Sequence, residues 1–153
     1  MGKTVIITLG VDARALYTAY PPSSTAPTQT QLDPYCHMND DNDGSIQPPG
    51  GTVNDFTSQV YKGNTVRWRI NRHDASAGGS YTVKIISIVN NSSPAFFDPS
   101  TILGGDGGAT TVDGTCLVDS GTDTYTINFR VTKGGEDPGH NEYSFDPKLG
   151  GNP

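Results

Sequence analysis

One segment of the chain alternates with a strict period of two. From Thr124 to Thr132, Tyr125, Ile127, Phe129 and Val131 fall on one side and Thr126, Asn128, Arg130 and Thr132 on the other. That period belongs to a β-strand with one buried and one wet face; wound into a helix, the same residues would scatter round the axis. A second segment repeats the message. After the turn residues Lys62-Gly63-Asn64, Val66, Trp68 and Ile70 share a face opposite Arg67 and Arg69, which sets the single tryptophan between two β-branched residues. Such an indole reads as a packing anchor at the centre of a core.

The remaining segments extend the pattern. Thr4 to Leu9 is a β-branched run fit for a buried strand, and Tyr35 to Met38, Phe56 to Tyr61, Tyr81 to Val89 and Glu142 to Asp146 read as further strands. Asp12 to Tyr20 reads as one short helix, with Asp12 as its N-cap and Pro21-Pro22 forbidding continuation. Pro21 to Pro34 is Ser, Thr, Pro and Gln with almost no apolar content, hence surface loop. Gly104 to Gly108 has no strand-to-helix switch before it, so it is a connection and not a phosphate loop. With 19 glycines and 11 prolines, roughly a fifth of the chain is turn-forming. The expectation is a single domain over residues 1–153, all-β, an antiparallel β-sandwich of six to eight strands with one short N-terminal helix.

The side-chain inventory excludes more than it offers. A formal charge of −6, with 10 basic against 16 acidic residues, provides no cationic cluster for a phosphate backbone, so nucleic acid is not an expected partner. Only six mainly apolar residues follow Met1-Gly2-Lys3, too few for a signal core or a bilayer span, so the expectation is a cytoplasmic protein without a membrane partner. Cys36 and Cys116 are expected as two thiols, with one disulfide as the alternative. His73 beside Asp74 has no assignable nucleophile, and neighbours in a turn seldom face one another, so His73 reads as a solvated histidine and no catalytic residue is assigned. A blue-copper set fails as well. Cys36, His37 and Met38 are consecutive and alternate in direction, while Cys116 has no histidine until His140.

One acidic run carries a metal signal. In Asn39-Asp40-Asp41-Asn42-Asp43-Gly44, the residues Asn39, Asp41, Asp43 and Gly44 fit the first, third, fifth and sixth positions of a calcium loop. Gly50 stands where the bidentate acid belongs, and no helices flank the run. A solvated Asx-rich turn and a calcium site with Asn39, Asp41 and Asp43 as ligands are the two readings, the plain turn being preferred and no cofactor expected.

The order of these motifs resembles the bacterial inclusion body proteins of the PixA/AidA type. The resemblance spans nearly the whole chain: the opening strand, Asp12 and the helix to Tyr20-Pro21; the Ser/Thr/Pro loop leading to Tyr35 and Met38; Gly63-Asn64-Thr65-Val66-Arg67-Trp68-Arg69; and Tyr125-Thr126-Ile127-Asn128-Phe129 with Phe145-Asp146-Pro147. This chain has Asn64 where the family usually has an acid. The resemblance implies a cupredoxin-like or Ig-like sandwich, made in the bacterial cytoplasm, in some members abundant enough to form inclusions, with no catalytic residues to carry over. Self-association into a homo-oligomer is the leading functional expectation. A sugar- or calcium-binding lectin-like module, supported by Asp/Asn/Gly-rich loops and seven tyrosines, is the alternative.

The plain-turn reading predicts that millimolar calcium leaves the melting temperature unchanged. A calcium-dependent rise that Asp41→Asn together with Asp43→Asn abolishes would establish the loop as a site instead.

Overall fold

The structure, a computed structural model, describes residues 2–42, 53–135 and 139–153. Among these, the chain runs β1 (Val5–Val11), α1 (Ala13–Ala19), α2 (Gln29–Leu32), β2 (Cys36–Asp40), β3 (Thr57–Tyr61), β4 (Thr65–Arg72), β5 (Tyr81–Asn90), β6 (Phe97–Asp98), β7 (Thr101–Leu103), β8 (Thr111–Cys116), β9 (Thr122–Lys133), β10 (His140–Phe145) and β11 (Lys148–Asn152). Two sheets face each other. The first has the order β2-β1-β4-β8-β6, and the second β3-β11-β9-β5-β7 with β10 also paired to β9. The all-β sandwich is therefore as expected.

Its sheets are mixed and not purely antiparallel. β1 and β4 run parallel, as do β3 and β11, while the remaining pairs are antiparallel. The parallel pairs arise because the chain leaves a sheet and re-enters it: β4 returns beside β1 only after β3 has been laid in the other layer. β8 and β11 were not legible as strands. Gly114 within β8 and Gly150-Gly151 within β11 dilute the apolar pattern, yet at Gly151 a Cβ would lie 3.0 Å from the Ser120 carbonyl, so the close packing there requires glycine.

The alternating segments bury the predicted faces. Val66, Trp68 and Ile70 of β4, and Tyr125, Ile127, Phe129 and Val131 of β9, are all core residues. β5 carries an irregularity. A register shift between Ile85 and Ser87 re-phases the strand, so that both Ile85 and Ile88 point inward and Ile86 lies on the outer face.

The single-helix expectation needs one correction. The loop from Pro21 to Pro34 contains the four-residue α2, started by a reciprocal capping box: Gln31 N–H donates to Thr28 Oγ1 at 3.2 Å and Thr28 N–H donates to Gln31 Oε1 at 2.9 Å. Its one apolar residue, Leu32, is buried in the core.

At the centre, Trp68, Phe97 and Tyr125 form an aromatic triad with ring centroids 5.2, 5.6 and 6.2 Å apart. The Trp68 indole N–H donates to the Tyr125 hydroxyl at 3.0 Å, joining the first sheet to the second. Burial pushes the Tyr125 hydroxyl well above the usual phenol range, so the ring stays neutral. Trp68→Ala is expected to cost about 3–5 kcal/mol. Tyr125→Phe, which leaves the buried indole N–H without its acceptor, is expected to cost about 1–3 kcal/mol. Urea denaturation measures both, and a Trp68→Ala protein with unchanged stability would contradict the core assignment.

Candidate functional site

The first sheet ends at three neighbouring chain segments, and side chains from all three meet on its outer face. β1 is flanked by β2, with Gly10 opposite His37, and by β4, with Gly10 opposite Asn71. Beyond the strand ends the ladders continue: Asp12 N–H donates to the Tyr35 carbonyl at 2.8 Å and His73 N–H to the Val11 carbonyl at 2.7 Å. Side chains two apart on a strand share a face, so Gly10 and Asp12, His37, and Asn71 with His73 all belong to the solvent side.

Asp12 was expected to cap α1, but its side chain makes no cap bond. The task falls to Asp74. Its carboxylate accepts from the N–H groups of Ala13 at 2.9 Å and Arg14 at 3.0 Å, and from Arg72 Nε at 2.9 Å. Burial pushes the Asp74 carboxyl up, but Arg72 and the N–H groups of Ala15 and Ala13 outweigh it and hold the group below the usual carboxylate range. Arg72 also donates to the Gly78 and Gly79 carbonyls and lies over the Tyr81 ring, and Arg14 donates to Ala77, so the loop after β4 is braced from two sides.

Relieved of capping, Asp12 turns to the two histidines. Its Oδ2 lies 3.0 Å from His37 Nε2 and its Oδ1 2.7 Å from His73 Nδ1. The imidazoles stack on one another, with centroids 3.9 Å apart and planes 28° apart. Gly10 lies beneath His73. A Cβ there would sit 3.4 Å from His73 Cβ and 3.6 Å from Cδ2, in van der Waals contact with that side chain. His37 is 44% exposed, His73 55% and Asp12 23%, which leaves the group open toward solvent.

None of the three was identified as a site residue from the sequence. His37 and His73 lie 25 and 61 positions from Asp12, and no short spacing connects them. His73 was read as solvated; it is exposed but held by Asp12. It does not face Asp74, which points to α1. Only the pairing of β1 with β2 and β4 could have revealed the group.

The residues of the acidic run take other positions. Asn39 is exposed on β2 opposite Thr8; Asp41 accepts the Ile6 N–H at 2.8 Å, closing the β1–β2 ladder; Asp43 lies outside the described residues. Between Asn39 and Asp41, Asp40 is buried against Ser58 and the Asn42 N–H, and burial raises its carboxyl above the ordinary range. Cys36 and Cys116 are buried as free thiols, each pushed up by burial. Cys36 and Met38 face the core while His37 faces outward, as the alternation argued against copper requires. On the outer face of the second sheet, Ala26, Pro27, Ile86, Ser87, Asn128 and Ser144 line a groove of about 360 Å³, in which Asn128 already donates to Ser87. Among the described residues, no helix is long and apolar enough to cross a membrane.

No family model and no curated protein matches the sequence. Among solved structures, the chain is similar to the inclusion body protein PixA from Burkholderia cenocepacia J2315, with a TM-score of 0.68 over 99% of this chain and 96% of that one at 11% identity. The chain has the fold of the PixA inclusion body protein. At that identity the shared property is the fold.

The exchange of roles between Asp12 and Asp74 generates a prediction. Asp74→Ala is expected to cost about 1–2 kcal/mol, the usual loss for a helix cap. Asp12→Ala, which removes no cap but frees two half-exposed histidines, is expected to cost less than Asp74→Ala. Urea denaturation of the two variants checks this, and a larger loss for Asp12→Ala would contradict the assignment.

Proposed function

We propose that this protein is a non-enzymatic, self-associating protein of the inclusion-forming kind. The observation that carries this reading is the likeness to PixA over 99% of the chain. The surface supports it. β7, three residues long, forms an edge of the second sheet, and β6, two residues long, forms an edge of the first; Pro99 and Ser100 connect them, so both edges lie on one flank. Leu103 on β7 is 73% exposed and Leu117, just past β8, is 45% exposed; these are the exposed large hydrophobic residues among those described. Short edge strands without a guarding lysine and with an outward leucine are suited to pairing with another copy.

The outer face of β9, with its threonines, is less open to a second copy. Thr126 donates to Asp146 at 2.6 Å, Asn128 donates to Ser87, and Arg130 meets Glu142, so that face is half-covered from within the chain. The self-contacts therefore belong to the β6–β7 flank. A cytoplasmic location accompanies this reading.

Sedimentation velocity from micromolar to high-micromolar concentration is expected to show the average mass rising with concentration. Leu103→Lys should hold the protein as a monomer without lowering its melting temperature. A wild-type protein that stays strictly monomeric over that range would remove the basis for the proposal.

A further inference from the structure

We propose that Asp12, His37 and His73 form a binding site for a divalent first-row transition metal ion on the outer face of the first sheet. The proposal stands apart from self-association and does not depend on it. Two imidazoles and one carboxylate are a donor set suited to zinc, cobalt, nickel or copper, and unsuited to calcium, which prefers oxygen ligands alone. One ligand atom from each residue lies within 4.8 Å of the others.

Each imidazole stands at ligand spacing from one oxygen of the carboxylate. Two ligands bound about 2.1 Å from one metal at ordinary angles lie roughly 2.7–3.4 Å apart. The carboxylate oxygens of Asp12 lie 3.0 Å from His37 Nε2 and 2.7 Å from His73 Nδ1. Both imidazoles already turn a nitrogen to the same carboxylate, so metal entry needs each ring proton to shift to the opposite nitrogen and the stacked rings, now 28° apart, to swing open until both lone pairs point at the ion. The bonds that set the three backbones are independent of the side chains that would bind: Asp12 N–H is held by Tyr35, His73 N–H by Val11, and His37 by its place opposite Gly10.

Two further features favour a site over a pair of incidental hydrogen bonds. The residue placed to cap α1 is not used for that purpose; a second aspartate does it, leaving the Asp12 carboxylate wholly available to the histidines. Gly10, paired with His37 and lying under His73, keeps the strand between the two imidazoles bare of a side chain. The ions have access from solvent, since both histidines are about half exposed. Three protein ligands and an open outer side leave the remaining coordination positions to water or another small ligand.

The test uses the full chain without an affinity tag, stripped with chelator and titrated with zinc chloride, followed by calorimetry and native mass spectrometry. One zinc ion per chain is expected. His37→Gln or His73→Gln should weaken binding by at least about tenfold, the loss that even an outer partner of a metal ligand can cause. The double variant should bind none at concentrations that saturate wild type, with its metal-free circular dichroism and melting temperature unchanged. In wild type, histidine ring resonances of two residues should shift on adding zinc while those of exposed His140 stay in place. Should the double variant fail to fold, Asp12→Asn and the wild-type ring resonances decide the matter. Absence of saturable binding by wild type, unchanged affinity in the folded variants, or shifts confined to His140 would overturn the assignment.

Discussion

The hydrogen bond from the Trp68 indole to the Tyr125 hydroxyl links the two sheets at the aromatic centre of the sandwich, and with the buried Ser58–Asp40 bond between β3 and β2 it fixes how the sheets sit on each other. Hydrophobic burial alone is non-directional; it would let facing sheets slide by a residue with little loss. A buried N–H that must find an acceptor cannot tolerate such a slide, because an unmatched group costs about 1–3 kcal/mol. With Phe97 completing the triad, β4, β6 and β9 are held in one register, and the strands paired to them follow.

That register determines what appears on the outer faces. With Trp68 inward, Asn71 and His73 must face out at the end of β4, and with Leu9 and Val11 inward, Gly10 and Asp12 face out beside them. His37 completes the row because Cys36 and Met38 are core residues. The cluster of Asp12 and two histidines is thus a consequence of three strands keeping their apolar residues inside. Its geometry then depends on the loop after β4, where Arg72 and Asp74 tie the chain to α1 and stop His73 from swinging away.

Much of this architecture was legible in the sequence because burial writes itself as periodicity. β4, β9 and the start of β1 carry strong alternation or β-branched runs, and each was found close to its observed limits. β6, β7, β8 and β11 were not, since two or three residues, or strands interrupted by glycine, hold too little pattern. α2 was missed although Thr28 and Gln31 spell its capping box, because a four-residue helix with one apolar side chain lacks the face that usually announces a helix. The site was less legible than the fold. Asp12 is a residue type that caps helices in most sequences, and only tertiary pairing shows that Asp74 has displaced it.

Because the chain has one tryptophan, its indole N–H gives a single resolved resonance, and the rate at which that proton exchanges with solvent reports directly on the link between the sheets. The account predicts exchange only through global unfolding, with a protection free energy equal to the stability measured by denaturant and matching that of the β9 core amides. An indole proton that exchanges orders of magnitude faster than the Ile127 and Phe129 amides would contradict it, for the two sheets would then open without the chain unfolding.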